Sequence, residues 1–344
     1  MSEFQLSLLS IGAVVVVAVY LYGLWQQWRY RRSLSKPFEP SAMVSKTTPQ
    51  QSQASDEAEM QHYIAEPIPE TSPQFDEKTD YVVSMTLKFP QSAEALDGYW
   101  QRRFDYGKTI QAVGCSAATG IWERVIPESR TSYSAFKIAL QLVDRNGPVS
   151  DTRLSDLREL LGSIGQKLDA DMMLPMVDSA IESARELDRF CAEVDQMIGI
   201  NIVPNSERVL FGSEVARAVQ LVGMSLQADG TFHQFDADGA TLFTLSAADG
   251  TPFQHHTLDQ MQVDNMTLLL DIPRVKDPVK CLDEMTLLAM EVATTLRATL
   301  VDDQRVTLDN TAISRIRSQV EAVEKSMLAG GIAPGSDQAL RLFS

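Results

Sequence analysis

The chain has 344 residues and a formal net charge of −16, from 46 acidic and 30 basic side chains. This acidic balance argues against a nucleic-acid partner, because phosphate backbones are bound by clustered Lys and Arg side chains. The three cysteines, Cys115, Cys191 and Cys281, form no C-x-x-C pair. They therefore argue against a disulfide scaffold and a zinc site, and favour a reducing compartment.

An apolar run opens the chain, from Leu6 to Trp25, with 20 residues and no charge. A helix of this length spans roughly 30 Å of hydrocarbon, so residues 1–28 are predicted to form a transmembrane anchor. Arg29, Arg31 and Arg32 follow the run and no basic residue precedes it. The positive-inside rule then places the N-terminus outside the cytoplasm and the rest of the chain inside it. A cleaved signal peptide is the alternative, but it would carry its basic cluster before the apolar core.

Residues 29–79 are predicted to be a basic juxtamembrane segment followed by a disordered linker. The segment is rich in Pro, Ser, Gln and Thr and has few apolar side chains to bury. A flexible chain of this length has an end-to-end distance of about 40 Å. We expect the linker to tether the globular part of the chain to the membrane without fixing its orientation.

Residues 80–195 have the pattern of an α+β domain. Tyr81–Phe89 alternates as a strand does, a helix follows, and Ser134–Val143 is a second apolar strand. Two helical stretches come next, about 152–168 and 175–194, the second with Pro175 in its first turn.

Residues 196–325 show the same mixture more clearly. The predicted elements, in chain order, are a strand at 197–203, a helix at 213–222, a strand at 231–235, a hairpin turn at 236–239, a strand at 241–247, a helical turn at 257–260, a strand at 265–272, a helix at 278–298, the segment 300–308 and a last helix. This order predicts an antiparallel sheet with helices on one side, of split β-α-β type. Residues 326–344 are expected to be a flexible tail.

A weak internal repeat relates the two domains. The stretch from Ile138 and the stretch from Leu268 both read strand, charged turn, Pro and amphipathic helix. Residues 80–195 are therefore either a diverged copy of the next domain or an unrelated α+β domain, and the sequence leaves both open.

Strand alternation predicts which side chains share a face of the second sheet. One face carries the larger apolar residues of each strand, which the helices would cover. The opposite face carries Met197, Gly199, Asn201 and Val203 from the first strand, Thr244, Ser246 and Ala248 from the hairpin, and Thr267, Leu269 and Asp271 from the strand after it. This face either meets water or forms a shallow groove for a peptide.

A resemblance makes the groove interpretation specific. The anchor with its Pro/Gln-rich linker, the segments TLFTLSA (241–247) and MTLLLDIP (266–273), and LVDDQR (300–305) before the last helix together resemble the ZipA family. The family consists of bitopic inner-membrane cell-division proteins whose C-terminal domain binds the C-terminal tail of the tubulin-like GTPase FtsZ. The likeness covers 196–325 by motif and the anchor by architecture, about half of the chain.

The resemblance implies a division-ring adaptor without enzymatic activity or cofactor. The FtsZ tail would dock in a groove lined by Met197, Gly199, Asp229, Thr231, Ser246, Ala248, Thr267 and Leu269, of which Asp229 and Thr231 rest on the resemblance alone. The protein would be single-pass in the bacterial inner membrane, held in the bilayer by residues 6–25, with a periplasmic N-terminus and cytoplasmic domains. It would act in septum assembly beside other divisome proteins. This groove is more polar than the groove of the family. Two alternatives therefore stay open: the protein binds the FtsZ tail more weakly, or it is a division scaffold that binds a different protein partner.

No motif of catalysis accompanies these features. Asp302, Asp303 and Arg305 are interpreted as a structural ion-pair and capping arrangement at a strand end rather than a catalytic or metal site. His255 and His256, adjacent on one loop, are interpreted as solvated rather than metal-binding. The segment GKT at 107–109 lacks the earlier glycine of a phosphate loop. An enzyme housed in residues 80–195 remains a third alternative.

Overall fold

The computed structural model describes residues 75–205 and 208–344. The predicted anchor and nearly all of the predicted linker lie outside these residues. Within the described ranges, no helix is both long and apolar enough to cross a membrane.

The first sheet is built from residues 80–173. In chain order the elements of this half are β1 (Asp80–Gln91), a 3-10 turn (Ala93–Leu96), α1 (Asp97–Arg102), β2 (Ile110–Ser116), β3 (Trp122–Arg124), β4 (Tyr133–Gln141), β5 (Val143–Asp144), β6 (Gly147–Pro148), α2 (Asp151–Lys167), β7 (Asp171–Met173) and α3 (Val177–Val194). The antiparallel sheet has the strand order β3-β2-β4-β1-β7, and β5 pairs with β6 apart from it.

Helix α2 covers one side of this sheet because its apolar residues recur at helical spacing. The Ser150 hydroxyl accepts a hydrogen bond from the Arg153 amide at 3.4 Å and so caps the start of the helix. Leu154, Leu157 and Leu161 follow on one face and are fully buried. They belong to the same apolar core as Met85 of β1.

The second sheet is built from residues 197–301. Its half contains β8 (Met197–Pro204), β9 (Leu210–Phe211), α4 (Gly212–Leu221), β10 (Ser225–Leu226), β11 (Phe232–Phe235), β12 (Thr241–Ala247), β13 (Gln262–Val263), β14 (Met266–Asp271), a 3-10 turn (Ile272–Arg274), α5 (Pro278–Leu296), β15 (Ala298–Val301) and α6 (Asn310–Ala329). Six antiparallel strands are arranged in the order β10-β11-β12-β14-β8-β15, while β9 and β13 pair separately.

The helices of the second half lie on one side of its sheet. Helix α5 packs on β8 and β14, and α6 packs on α5. The buried stripe of α5 includes Leu282, Met285 and Val292, which meet the apolar sides of the strands. The predicted α+β class, with open antiparallel sheets and helices, is confirmed for the described residues.

The end of the chain differs from the flexible tail expected at 326–344. Helix α6 continues to Ala329, and a further helix, α7 (Asp337–Leu342), follows. Ser336 caps α7, its hydroxyl accepting a hydrogen bond from the Ala339 amide at 3.2 Å. Phe343 is fully buried. A helix of six residues is too short to show a period in sequence, so its burial depends on distant contacts.

Those contacts join the two halves. Arg341 of α7 forms an ion pair with the buried Asp80 at the start of β1. From the second half, Arg274 donates a hydrogen bond from Nη1 to the Phe343 carbonyl at 2.7 Å. Helix α7 is therefore fixed to the first strand of one sheet and to the turn after β14 of the other.

A second bridge lies beside α7. The guanidinium of Arg145, between β5 and β6, reaches Asp195 at 2.6 Å and Asp271 at 2.8 Å. Two residues separate the end of α3 at Val194 from the start of β8 at Met197. The buried apolar side chains of both halves form one continuous cluster.

The two halves share part of their topology. In each, the first strand lies between a long later strand and a short edge strand, β4 and β7 in one and β14 and β15 in the other. The repeated sequence falls on equivalent parts, β4 to α2 and β14 to α5. The hairpins differ, since β4 is next to the first strand of its hairpin and β14 is next to the second. Duplication of residues 80–195 and 196–325 therefore stays one of two alternatives, beside two unrelated α+β domains.

Candidate functional site

The candidate site is the side of the second sheet that faces away from α5 and α6, called here the open face. Along β8 and β14 burial alternates with every residue, as it does in a strand covered on one side. Ile198, Ile200 and Ile202 point into the core. Met197, on the other side, is 46% exposed, and Leu269 is 36% exposed.

Strand register brings most of the predicted groove residues together. Ser246 pairs with Thr267, and Leu269 pairs with Gly199. Met197 lies in the next pair of the same face, opposite Asp271. Because paired side chains on one face lie about 5 Å apart, these residues form one continuous patch across three strands.

Gly199 leaves a depression in this patch. A Cβ atom built there would be in ordinary contact with Asp303 Oδ1 at 3.6 Å and with Thr267 Cγ2 at 3.7 Å. The surface at Gly199 is therefore β-sheet backbone, with Met197 two residues away on the same strand and Leu269 paired opposite.

Polar side chains on the open face already form hydrogen bonds with one another. The Thr267 hydroxyl donates to Asn201 Oδ1 at 2.7 Å, and Asn201 Nδ2 donates to Asp303 Oδ1 at 3.0 Å. This turns the Thr267 methyl group toward the depression beside Gly199. Alternation had placed Asn201 on this face, but its role in orienting Thr267 depends on Asp303, which sequence patterning could not bring near it.

The LVDDQR segment ends β15 and closes a tight turn. Asp302 Oδ1 accepts hydrogen bonds from the amides of Gln304 at 2.9 Å and Val306 at 2.8 Å. Arg305 adopts a left-handed conformation with φ of 61°. Asp302 therefore caps the turn through backbone amides, while its neighbour Asp303 points across the open face to Asn201. The predicted cap is present, but in the described residues neither aspartate forms the predicted ion pair with Arg305.

Asp229 and Thr231 lie in the turn before β11, at the edge of the open face. Asp229 Oδ1 accepts hydrogen bonds from the Thr231 amide at 3.0 Å and the Thr231 hydroxyl at 2.9 Å. The His233 ring joins them through Nε2, 2.9 Å from Asp229 Oδ2, and through Nδ1, 3.0 Å from the Thr241 hydroxyl. Since His233 pairs with Thr244, its ring is on the open face. The sequence-based groove omitted it, although alternation from the buried Phe232 would have found it.

This cluster perturbs the acidity of Asp229. Partial burial alone would raise its pKa, but the hydrogen bonds from Thr231 and His233 stabilise the carboxylate and leave the pKa of Asp229 below its usual value. The carboxylate is thus held ionised at the groove edge.

Ala248 continues the face beyond the end of β12. Its amide donates to the Asn265 carbonyl at 3.0 Å, and the residue is exposed. Because Ala248 lies in the turn after the strand, its place in the groove stays a prediction.

At the end nearest α7, the open face deepens into a cavity of about 490 Å³. Leu269 and Thr244 form part of its floor, and Leu340 of α7 contributes a wall. Arg274 lies at its rim, with Nε 3.9 Å from Asp271 Oδ2. This wall was missed because residues 326–344 were expected to be flexible.

Comparison with known families identifies the second half. Residues 196–319 match the family model described as ZipA, C-terminal FtsZ-binding domain. The matched segment contains all the predicted groove residues and leaves out the first sheet and α7. A domain of this family implies binding of FtsZ and is a binding domain rather than a catalytic one. No curated protein matches the sequence.

Proposed function

Because residues 196–319 contain a ZipA C-terminal FtsZ-binding domain, we propose that this protein binds the C-terminal tail of FtsZ on the open face and tethers the division ring to the membrane. The observation that carries the proposal is the half-exposed apolar patch of Met197 and Leu269 beside Gly199, on the side of the sheet away from α5 and α6. It lies inside the matched segment.

Recognition would depend on apolar contact more than on new hydrogen bonds. Thr267 and Asn201 are already hydrogen-bonded within the protein, so a peptide meets their apolar atoms. Two large side chains, Met197 and Leu269, are available as anchors. Interfaces draw most of their affinity from a few such residues, so a single tail is expected to bind weakly.

Avidity would compensate for a weak single contact. An FtsZ polymer presents many copies of its tail, and each tethered copy of this protein raises the effective concentration for the next contact. The tether in this proposal is the apolar segment 6–25 with the linker after it, supported by composition and by the Arg residues that follow the segment. The corresponding location is the inner membrane, with both sheets in the cytoplasm.

A second candidate is a division scaffold that uses the same face for a different protein. The hydrogen-bonded row of Thr267, Asn201 and Asp303 makes the middle of the face polar. In addition, α7, which lies outside the matched segment, forms a wall at one end of the open face. Both features would suit a ligand with polar groups at these two places.

Co-sedimentation separates the two candidates. The full-length chain, purified in detergent micelles, is mixed with FtsZ polymers and, in parallel, with polymers of FtsZ that lacks its C-terminal tail. The FtsZ proposal predicts pelleting with the first and not with the second. Equal pelleting with both, or with neither, would contradict tail binding and favour the other partner.

A further inference from the structure

A separate cavity lies on the first sheet, away from the open face. Its volume is about 630 Å³, within the range of roughly 300–1,000 Å³ found for ligand sites. It is formed by α1, the loop after α1 and the strand edge at β3. The residues that matter for its chemistry are Tyr99, Trp100, Arg103, Phe104, Arg124 and Ile126.

Part of the wall of this cavity is aromatic and aliphatic. Trp100 packs edge-on against the buried Tyr99, with ring centroids 4.7 Å apart. Phe104 is 80% exposed and Ile126 is 47% exposed. Arg103 fixes part of the wall, because its guanidinium stacks 4.5 Å from the Phe104 ring centroid and donates to the Trp100 carbonyl at 3.2 Å.

Positive charge is concentrated in the same place. Arg103 and Arg124 both line the cavity, and in the described part of the chain neither forms an ion pair with a carboxylate. The third cation, Lys108, forms an ion pair with Asp144 at 2.5 Å and donates a hydrogen bond to the Gly147 carbonyl at 2.5 Å. Among the described residues, both guanidinium groups therefore lack a carboxylate partner, in a protein whose formal net charge is −16. Arg103 also contacts the Phe104 ring and the Trp100 carbonyl, and its other N–H groups are left for a ligand.

We propose that this cavity binds an acidic peptide segment of a partner protein. Carboxylates of the peptide would pair with Arg103 and Arg124, since a guanidinium matches a carboxylate with two parallel hydrogen bonds. A neighbouring large apolar side chain of the peptide would cover Phe104 and Ile126. A nucleotide fits less well, because Lys108 of the GKT segment is already engaged by Asp144.

The site differs from the proposed FtsZ groove in both position and chemistry. Its lining residues lie between Tyr99 and Asp144, outside the matched segment 196–319. The groove offers Met197 and Leu269 as uncharged anchors, whereas this cavity offers two arginines. A protein with both sites could hold two partners at once.

The experiment is a selection of random twelve-residue peptides displayed on phage against the full-length chain in detergent micelles. Binders are counter-selected on the double variant R103Q/R124Q, and the recovered peptides are synthesised for anisotropy measurements. We expect them to carry a carboxylate next to a large apolar residue. R124Q should weaken their binding about tenfold and the double variant about 100-fold, as expected for loss of charged hydrogen bonds.

Arg130→Gln is the matched control, since Arg130 is exposed and does not line the cavity. It should bind the selected peptides as the wild type does, and thermal melts should show all variants folded. The proposal is overturned if no peptide is enriched, if enriched peptides lack carboxylates, or if R130Q weakens binding as much as R124Q. FtsZ co-sedimentation should be unchanged in the double variant, so the outcome does not depend on the groove.

Discussion

Replacing Leu269 with aspartate is the sharpest perturbation of the open face. Leu269 is 36% exposed, so about two thirds of it is covered by its own sheet. Full burial of a leucine side chain contributes roughly 1.5–3 kcal/mol. The substitution should therefore lower the free energy of unfolding by about 1–2 kcal/mol and leave the protein folded, because the new carboxylate can reach water.

The effect on binding should be larger than the effect on folding. A partner can cover the exposed third of Leu269, which is worth about 0.5–1 kcal/mol, so L269A should weaken binding roughly two- to fivefold. L269D also places a carboxylate beneath the bound peptide, where desolvation adds a further cost. The combined loss of about 2–3 kcal/mol corresponds to a roughly 30- to 150-fold weaker Kd.

The assay is fluorescence anisotropy of a labelled FtsZ C-terminal peptide titrated with the full-length protein. Leu287→Asp is the matched control, because Leu287 is 69% exposed and lies on α5, behind the sheet. It should bind as the wild type does. The reasoning would be refuted if L269D bound the peptide with unchanged affinity, or if L287D weakened binding equally.

Three further predictions concern stability and reactivity. Phe343→Ala should lower the free energy of unfolding in urea by about 3–5 kcal/mol, since Phe343 is fully buried at the junction of the halves. Leu340→Ala, at a residue 37% exposed, should lower it by only about 1–2 kcal/mol, and equal losses would contradict the described packing of α7. Because the folded-state pKa of Asp229 is lowered, its ionised form contributes stability that is present above the unfolded pKa and is lost as the pH falls through the folded pKa. The stability difference between wild type and D229N should accordingly shrink on acidification, and a difference that grows would exclude this role. Burial raises the pKa of the Cys191 thiol to about 12, and Cys281 is also buried, whereas Cys115 is partly exposed. Cys115 should therefore react first with a thiol reagent in the native protein. A Cys115→Ser variant that kept the fast phase of this reaction would contradict the assignment.

The open face was predictable because strand periodicity is local. In β8 and β14 apolar residues alternate with small or polar ones, and a period of two fixes the face of every residue once the strand is identified. Met197, Gly199, Thr267 and Leu269 were therefore placed on the correct side without knowledge of the register. Register, which pairs Gly199 with Leu269, needed the structure.

Features that depend on distant contacts were not predictable. Strand β2 was missed because Gly114 weakens its pattern, yet a Cβ at Gly114 would lie 2.4 Å from the Tyr133 ring. The glycine is there because the neighbouring strand β4 carries an aromatic ring against it. Likewise, α7 is held by Asp80 and Arg274, which are far from it in sequence.

The groove chemistry was predicted in part. The residue types on the open face indicated a groove more polar than that of the family. The structure shows how these polar side chains are arranged, with Asn201 linking Thr267 to Asp303 by hydrogen bonds. His233 was missed, although it joins the predicted Asp229 and Thr231 into one hydrogen-bonded cluster. The predicted anchor at 6–25 lies outside the described residues and stays a prediction.

Photo-crosslinking tests tail binding on the open face most directly. An FtsZ C-terminal peptide carrying a photoreactive group is bound to the full-length protein, irradiated, and the crosslinked residues are identified by mass spectrometry. We predict crosslinks within β8 and β14, at Met197–Pro204 and Met266–Asp271. Crosslinks confined to α5, α6 or the first sheet would contradict the account.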